Sequence, residues 1–260
     1  MTRASTGTSG ASWVEAPAQL PSLSDAVHVW GARLDAPEPE LWRLESVLSA
    51  EEVARADRFH RDLDRRRFVA AHGILRLVLG RYLLEDPARI RMEGTPGEKP
   101  ALAAPGSGLR FNLAHAADVV AIAIADGREV GIDVESAERA IRGHVIGARY
   151  FPEEEQADLR ALPEAERGAA FLRSWVCKEA FAKATGRGLS GIDVRGIRFN
   201  PASAPRAPLE GVTPDARRAL APWMAIELPP LHGCPGALVA EGTGWSAALW
   251  LWTGELAVDR

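Results

Sequence analysis

The chain has 260 residues, 47% of them hydrophobic and 25% charged, with a formal net charge of -4 and a pI near 5.9. This composition suits a globular protein of one domain or two small ones and excludes a disordered chain, while the acidic balance excludes a protein that holds nucleic acid by bulk positive charge. Two distant cysteines, Cys177 and Cys234, give neither a disulfide framework nor a zinc spacing, and the chain shows no apolar signal core and no run near the roughly 18 apolar residues of a membrane span, so a soluble, cytoplasmic protein is expected.

Residues 1–25 are rich in Ser, Thr, Gly, Ala and Pro and read as a mobile tail. A first strand follows near Val27–Trp30. From Leu41 to Leu84 apolar residues recur at helical spacing, with Phe68, Leu75 and Leu79 on one side, and Ser49 followed by Glu51 and Glu52 suits a helix start. This stretch carries Arg58, Arg61, Arg65, Arg66, Arg67 and Arg76, which fits either a local anion site or a solvated helix face. Glu93–Pro100 is turn chemistry. Arg110–Leu113 reads as a short strand, Val119–Ile124 as a buried one, and Asp126-Gly127 as the turn into another strand over Val130–Glu135. Phe151–Glu155 initiates a second helical region, and Phe171–Thr185 is a strongly apolar helix closed by Gly186. Pro201–Pro235 supports no assignment, and Trp245–Trp252 is a final strand. The pattern is α+β in two related halves, with expected boundaries of a tail at 1–25, an N-terminal lobe at 26–129 and a C-terminal lobe at 130–260.

Asp133 and Glu135 lie two apart in a predicted strand, so both carboxylates point to one face. Set among Gly131, Ile132 and Val134, such a pair raises its pKa or binds a cation, and hard oxygen ligands suit Mg²⁺; two solvated acids at an exposed strand end fit the same letters. Within the apolar helix, Glu179 and Lys183 are four apart and share a face with Trp175, as either a plain helix ion pair or a third carboxylate with a cation for phosphate.

The order of segments adds to these readings. Phe111-Asn112-Leu113-Ala114-His115, then Val130-Gly131-Ile132-Asp133-Val134-Glu135, then Ser174-Trp175-Val176-Cys177-Lys178-Glu179-Ala180-Phe181-Ala182-Lys183, flanked by Gly97-Glu98-Lys99-Pro100 and Gly186-Arg187-Gly188-Leu189, resembles the signature of the Sfp-type 4'-phosphopantetheinyl transferases. The resemblance implies a pseudo-twofold pair of similar α/β lobes with the active site in the cleft between them. It implies Mg²⁺ held by Asp133, Glu135 and Glu179, with coenzyme A as co-substrate. Glu179, or a water that it or a neighbouring acid polarises, would take a proton from the attacking serine, and Lys183 would contact a coenzyme A phosphate, with Lys178 in support. Arg55, Arg67, Lys99, Pro100 and His115 would meet the nucleotide end, and Ala114, where many relatives carry serine, would remove one hydroxyl contact there. The implied partner is an apo acyl or peptidyl carrier protein, the implied state a monomer with no nucleic acid or membrane partner. A noncatalytic coenzyme A binding protein and a Mg²⁺-dependent small-nucleotide phosphohydrolase are the rival readings.

Other signals are set aside. Gly186–Gly191 matches GxGxxG but follows a helix, which is the wrong context for a dinucleotide fingerprint. Gly191-Ile192-Asp193-Val194 repeats the first GIDV, but Arg195 replaces the second acid. No GxSxG, Walker, HExxH or CxxC motif is present, and Cys177 is expected to pack.

Overall fold

The computed structural model describes residues 12–94, 98–103, 107–199 and 206–254, with backbone alone at 141–144 and 206. In chain order the elements are β1 (Val14–Glu15), β2 (Ala26–Arg33), α1 (Glu38–Glu45), α2 (Ala50–Ala56), α3 (Asp62–Leu83), β3 (Met92–Glu93), β4 (Ala101–Leu102), β5 (Leu109–Ala116), β6 (Val119–Asp126) and β7 (Val130–Val134). There follow α4 (Gly143–Tyr150), α5 (Glu153–Ala161), α6 (Glu164–Thr185), β8 (Ile197–Arg198), β9 (Arg206–Pro208), β10 (Glu210–Gly211), α7 (Pro214–Leu220), β11 (Trp223–Leu231), β12 (Cys234–Glu241) and β13 (Ser246–Leu251). Mixed α+β is the class, as expected.

Among the described residues the strands form one sheet in the order β1-β13-β2-β6-β5, a second in the order β7-β12-β11-β9, and two short ribbons. Side-chain alternation assigns each face its partner. On β6, Val120, Ile122 and Ile124 face the helices and pack with Ile74, Leu75 and Val78 of α3. The intervening Ala121, Ala123 and Ala125 face the second sheet, meeting Ile132 of β7 and Leu238 of β12. The far face of the second sheet, through Ala225, Ala237 and Val239, receives Val176, Ala180 and Ala184 of α6. The result is helix, sheet, sheet, helix, and the small alanines of β6 let the two sheets approach.

Local chemistry explains the helix ends. Ser49 and Glu52 form a reciprocal capping box at the start of α2, so the predicted helix start is real, although the single helical stretch over 41–84 is divided into three helices. Gly186 ends α6 in the left-handed conformation at φ 68°, which glycine adopts without Cβ strain. Gly127 makes the predicted turn before β7 at φ 63°.

Three expectations change. The tail reading of 1–25 fails over its second half: β1 pairs in parallel with β13, Val14 opposite Trp250, and Trp13 donates its indole N–H to the Pro229 carbonyl at 2.9 Å; residues 1–11 lie outside the described residues. The lobe boundary does not divide the sheets, because β13, from the last part of the chain, pairs in parallel with β2 in the first sheet. The unassigned region supplies β9, β10, α7 and β11, with Pro201–Pro205 outside the described residues, as is Thr95–Gly97 of the expected turn. No described helix is long and apolar enough to cross a membrane.

One buried group ties stability to pH. His28 on β2 is fully buried, its Nδ1 2.9 Å from the Tyr82 hydroxyl, which also accepts from the Trp30 indole. Burial lowers its pKa from 6.5 to about 4, so the neutral ring is the folded form. Its contribution is complete above pH 6.5 and is lost as pH falls towards 4, amounting to about 2 kcal/mol between pH 7 and pH 5. Urea unfolding at the two pH values should show this loss, and His28→Gln should reduce the difference by about that amount.

Candidate active site

The site is built where α6 lies across β7. Val130, Ile132 and Val134 point into the core between the sheets, so Gly131 and Asp133 face α6. A Cβ on Gly131 would stand 2.0 Å from the Ala180 carbonyl oxygen and 2.3 Å from the Ala184 nitrogen. Glycine is therefore required for helix backbone to rest directly on strand backbone. That contact sets Asp133, two residues on, against the last turns of α6.

There Lys183 Nζ donates to Asp133 Oδ1 at 2.6 Å. Asp133 is only 6% exposed. Its pKa is pushed up to about 7, first by burial, with Lys183 opposing the shift and the charges of Glu179 and Glu135 adding to it. Glu179 is raised as well, by burial and by Glu135, against the pull of Lys183 and Arg139. Glu135 follows the end of β7; its Oε1 accepts from the Ser136 N–H at 3.0 Å, and its Oε2 is 3.6 Å from Arg139 Nε. The three acids thus act on one another electrostatically. Among the described residues, no three His, Cys, Asp or Glu side chains are already gathered to hold a metal ion. The donor set nevertheless fits Mg²⁺ in kind: hard carboxylate oxygens, partly desolvated and mutually repulsive, gain most from a small divalent cation.

A second set of charged groups acts on His115, which stands exposed near the end of β5. Its pKa is lowered, first by partial loss of surrounding water and then by Lys183, His72, Arg67 and Arg55. Groups from α2, α3 and α6 therefore act electrostatically on one histidine. Arg55 lies over the Phe68 ring at 5.1 Å, Arg67 pairs with Asp118 at 2.5 Å, and His72 stacks on Phe68 with centroids 4.0 Å apart and bonds Glu52 at 3.1 Å. Arg76, by contrast, is buried and bonded to Glu52, and Arg65 and Arg66 pair with Glu45 and Glu38. The arginine-rich stretch is thus part ion-paired scaffold and part candidate anion site.

One expected contact does not suit the role given it. Lys178 points away from the acids into the interior, where it and Glu155 form an ion pair at 2.9 Å with both side chains 0% exposed; it also donates to the Val194 and Ile197 carbonyls. Neighbours on a helix diverge by about 100°, so Lys178 cannot share the face of Glu179. Lys99 donates to Glu129 at 2.6 Å and to the Ala184 carbonyl at 3.1 Å, so it caps the negative end of α6, while Glu129 also pairs with Arg110 at 3.0 Å. Pro100 is exposed beside it. Ala114 is buried between the sheets, on the strand face opposite His115, so the absence of a hydroxyl there takes nothing from the face that His115 occupies. Trp175 lies in a buried aromatic cluster with Phe151 and Phe171, and Cys177 is buried with its thiol pKa pushed up by desolvation. Asp193 of the second GIDV only caps a short turn, accepting from the Gly196 N–H.

Sequence reasoning missed three residues. Asn112 accepts from the Ile132 N–H at 2.9 Å, satisfying a free donor on the edge strand β7 and joining the two sheets one residue before Asp133. His72 completes the basic group, and Arg139 stands between Glu135 and the Trp175 ring, 5.2 Å from its centroid. Helical spacing alone held the signal for His72, which lies one turn beyond Phe68.

Two family models match the chain: one described as 4'-phosphopantetheinyl transferase, N-terminal, over residues 35–126, and one for the 4'-phosphopantetheinyl transferase superfamily over residues 129–223. The chain is 36% identical over 241 residues to the 4'-phosphopantetheinyl transferase HetI of Nostoc sp., covering 92% of this chain and 97% of that protein. The chain belongs to the 4'-phosphopantetheinyl transferases. It is similar to two further transferases of that name: ffp of Bacillus subtilis is 30% identical over 62% of this chain and 71% of its own length, and the L-aminoadipate-semialdehyde dehydrogenase-phosphopantetheinyl transferase of Rattus norvegicus is 29% identical over 63% and 56%. The chain is therefore an enzyme, and the resemblance carried by its motifs is a family relationship.

Two substitutions test how this transferase holds its site. Gly131→Ala should cost about 3 kcal/mol in denaturant unfolding and lower the transfer rate about a hundredfold, because α6 is displaced from β7. Lys178→Met should cost about 3–5 kcal/mol by leaving Glu155 buried and unpaired. The double variant Lys178→Met with Glu155→Leu should regain most of that stability and retain transfer activity, as a structural pair requires.

Proposed function

We propose that this enzyme transfers the 4'-phosphopantetheine moiety of coenzyme A to a serine hydroxyl of an apo acyl or peptidyl carrier protein, releasing adenosine 3',5'-bisphosphate, in a Mg²⁺-dependent reaction. What supports this reading is Lys183, which bonds Asp133 at 2.6 Å and acts electrostatically both on the acids Asp133 and Glu179 and on His115, which Arg55, Arg67 and His72 also influence. A diphosphate linked to a nucleotide needs both: cations along its phosphates and carboxylates for a metal at its bridge. The stacked helix–sheet–sheet–helix layers are in keeping with two similar α/β lobes, with β13 returned to the first, and with a ligand cleft where their edges meet.

Each side chain has a task in the transfer. The carrier serine Oγ attacks the phosphorus that bears the pantetheine, and the bond from that phosphorus to the bridging oxygen breaks, leaving the nucleotide with the electron pair. Glu179, its pKa raised by burial, accepts the serine proton or polarises a water that does so. Lys183 offsets the charge that grows on the departing phosphate. Arg55, Arg67, His72 and His115 hold the nucleotide phosphates. Asp133, Glu135 and Glu179 would hold Mg²⁺, which when bound neutralises charge on the diphosphate oxygens. Lys178 is left out of the ligand set, since Glu155 balances it in the interior, while Lys99, paired with Glu129 as Arg67 is with Asp118, keeps its place as a candidate for the nucleotide end. The two free buried cysteines suit a reducing cytoplasm.

Incubation of a panel of apo carrier proteins with the enzyme, coenzyme A and Mg²⁺ should give a phosphopantetheine adduct by mass spectrometry, with adenosine 3',5'-bisphosphate released only when a carrier is present. Asp133→Ala and Glu179→Ala should each reduce the adduct rate by at least about a hundredfold. Nucleotide release without a carrier would identify a hydrolase instead, and unchanged rates in both variants would remove the acids from the mechanism.

A further inference from the structure

We propose that Lys183 and the divalent cation are alternative counter-ions of Asp133, so that metal binding releases the Lys183 ammonium from the carboxylate and makes it available to the substrate phosphate. This rests on the metal reading above and goes beyond it by giving Lys183 two successive partners.

Asp133 is buried and needs a positive neighbour to remain charged. Lys183 Nζ provides one at 2.6 Å. The Lys183 side chain is 31% exposed and leaves the last turn of α6 on a flexible four-carbon stem, so it can move without disturbing the helix. Around it, the carboxylates of Asp133, Glu135 and Glu179 face the cations Lys183 and Arg139, a net of one negative charge. A divalent cation on the acids turns that into a net positive charge, and like-charge repulsion then favours movement of the ammonium towards an anion. The same ammonium acts electrostatically on His115, as do Arg55, Arg67 and His72, so the basic groups that would hold the phosphates are within its electrostatic reach. A lysine that holds Asp133 before the substrates arrive need not be lost to phosphate binding afterwards.

The test is Mn²⁺ binding, read from the electron paramagnetic resonance signal of the free ion at pH 7.5, for the full-length wild type, Lys183→Met, Lys183→Arg and Asp133→Asn, each without and with saturating coenzyme A. Without coenzyme A, Lys183→Met should bind Mn²⁺ about tenfold more tightly than wild type, while Lys183→Arg, which keeps the charge, should stay within about twofold of wild type. With coenzyme A the advantage of Lys183→Met should disappear. Equal Mn²⁺ affinity of wild type and Lys183→Met without coenzyme A, with binding abolished in Asp133→Asn, would overturn the exchange and leave the metal site standing. Absence of Mn²⁺ binding to the wild type under both conditions would overturn the metal site and the exchange with it.

Discussion

The contact on which the site depends is the one at Gly131, where the backbone of α6 rests on the backbone of β7. Any side chain there would collide with Ala180 and Ala184, and a lifted helix would carry Glu179 and Lys183 away from Asp133. Asn112 holds the opposite side of the same strand by bonding the Ile132 N–H. β7 is thus fixed between a helix on one face and a carboxamide at its edge, and Asp133 projects from the segment that both define. Precise placement of charged groups needs such support from beneath, since a loosely held carboxylate is a weak electrostatic partner.

The treatment of charge separates structural from functional groups. Lys178 and Glu155 are both fully buried and balance one another, so their charges act within the fold. Asp133 is nearly as buried but shares its surroundings with Glu135 and Glu179, so one lysine does not satisfy the group. An excess of like charge in a partly desolvated place is costly to keep, and it persists usefully where a cationic ligand arrives to compensate it. Adjacent positions on one helix, Lys178 and Glu179, therefore fall into different classes solely because they point in different directions.

Most of the element pattern was legible. β2, β5, β6, β7, the main part of α6 and β13 follow from apolar alternation or helical spacing, and the Ser49 cap and the Gly186 terminus follow from local hydrogen bonding. β1 was not legible because two paired residues, Val14 and Glu15, carry no periodicity; the strand exists only because β13 offers it an edge. The stretch from residue 206 to residue 235 was not legible because its proline and alanine content gives no clear period. The misplacement of Lys178 has one cause: a basic residue in a motif carries no record of the carboxylate that neutralises it, and Glu155 lies elsewhere in the chain.

Residue spacing was enough to put Glu179 and Lys183 on one face of a helix and Asp133 in a strand, because the periods of strand and helix are properties of the local backbone, though that strand ends at Val134, one residue short of Glu135. The motif order was enough to indicate the family. Which strand lies beneath which helix, the return of β13 to the first sheet, the joining of the sheets through Asn112 and the electrostatic reach of Arg55, Arg67, His72 and Lys183 to His115 came from the folded chain. These are contacts between distant segments, and their geometry is set by how whole layers pack, a quantity that no local period encodes.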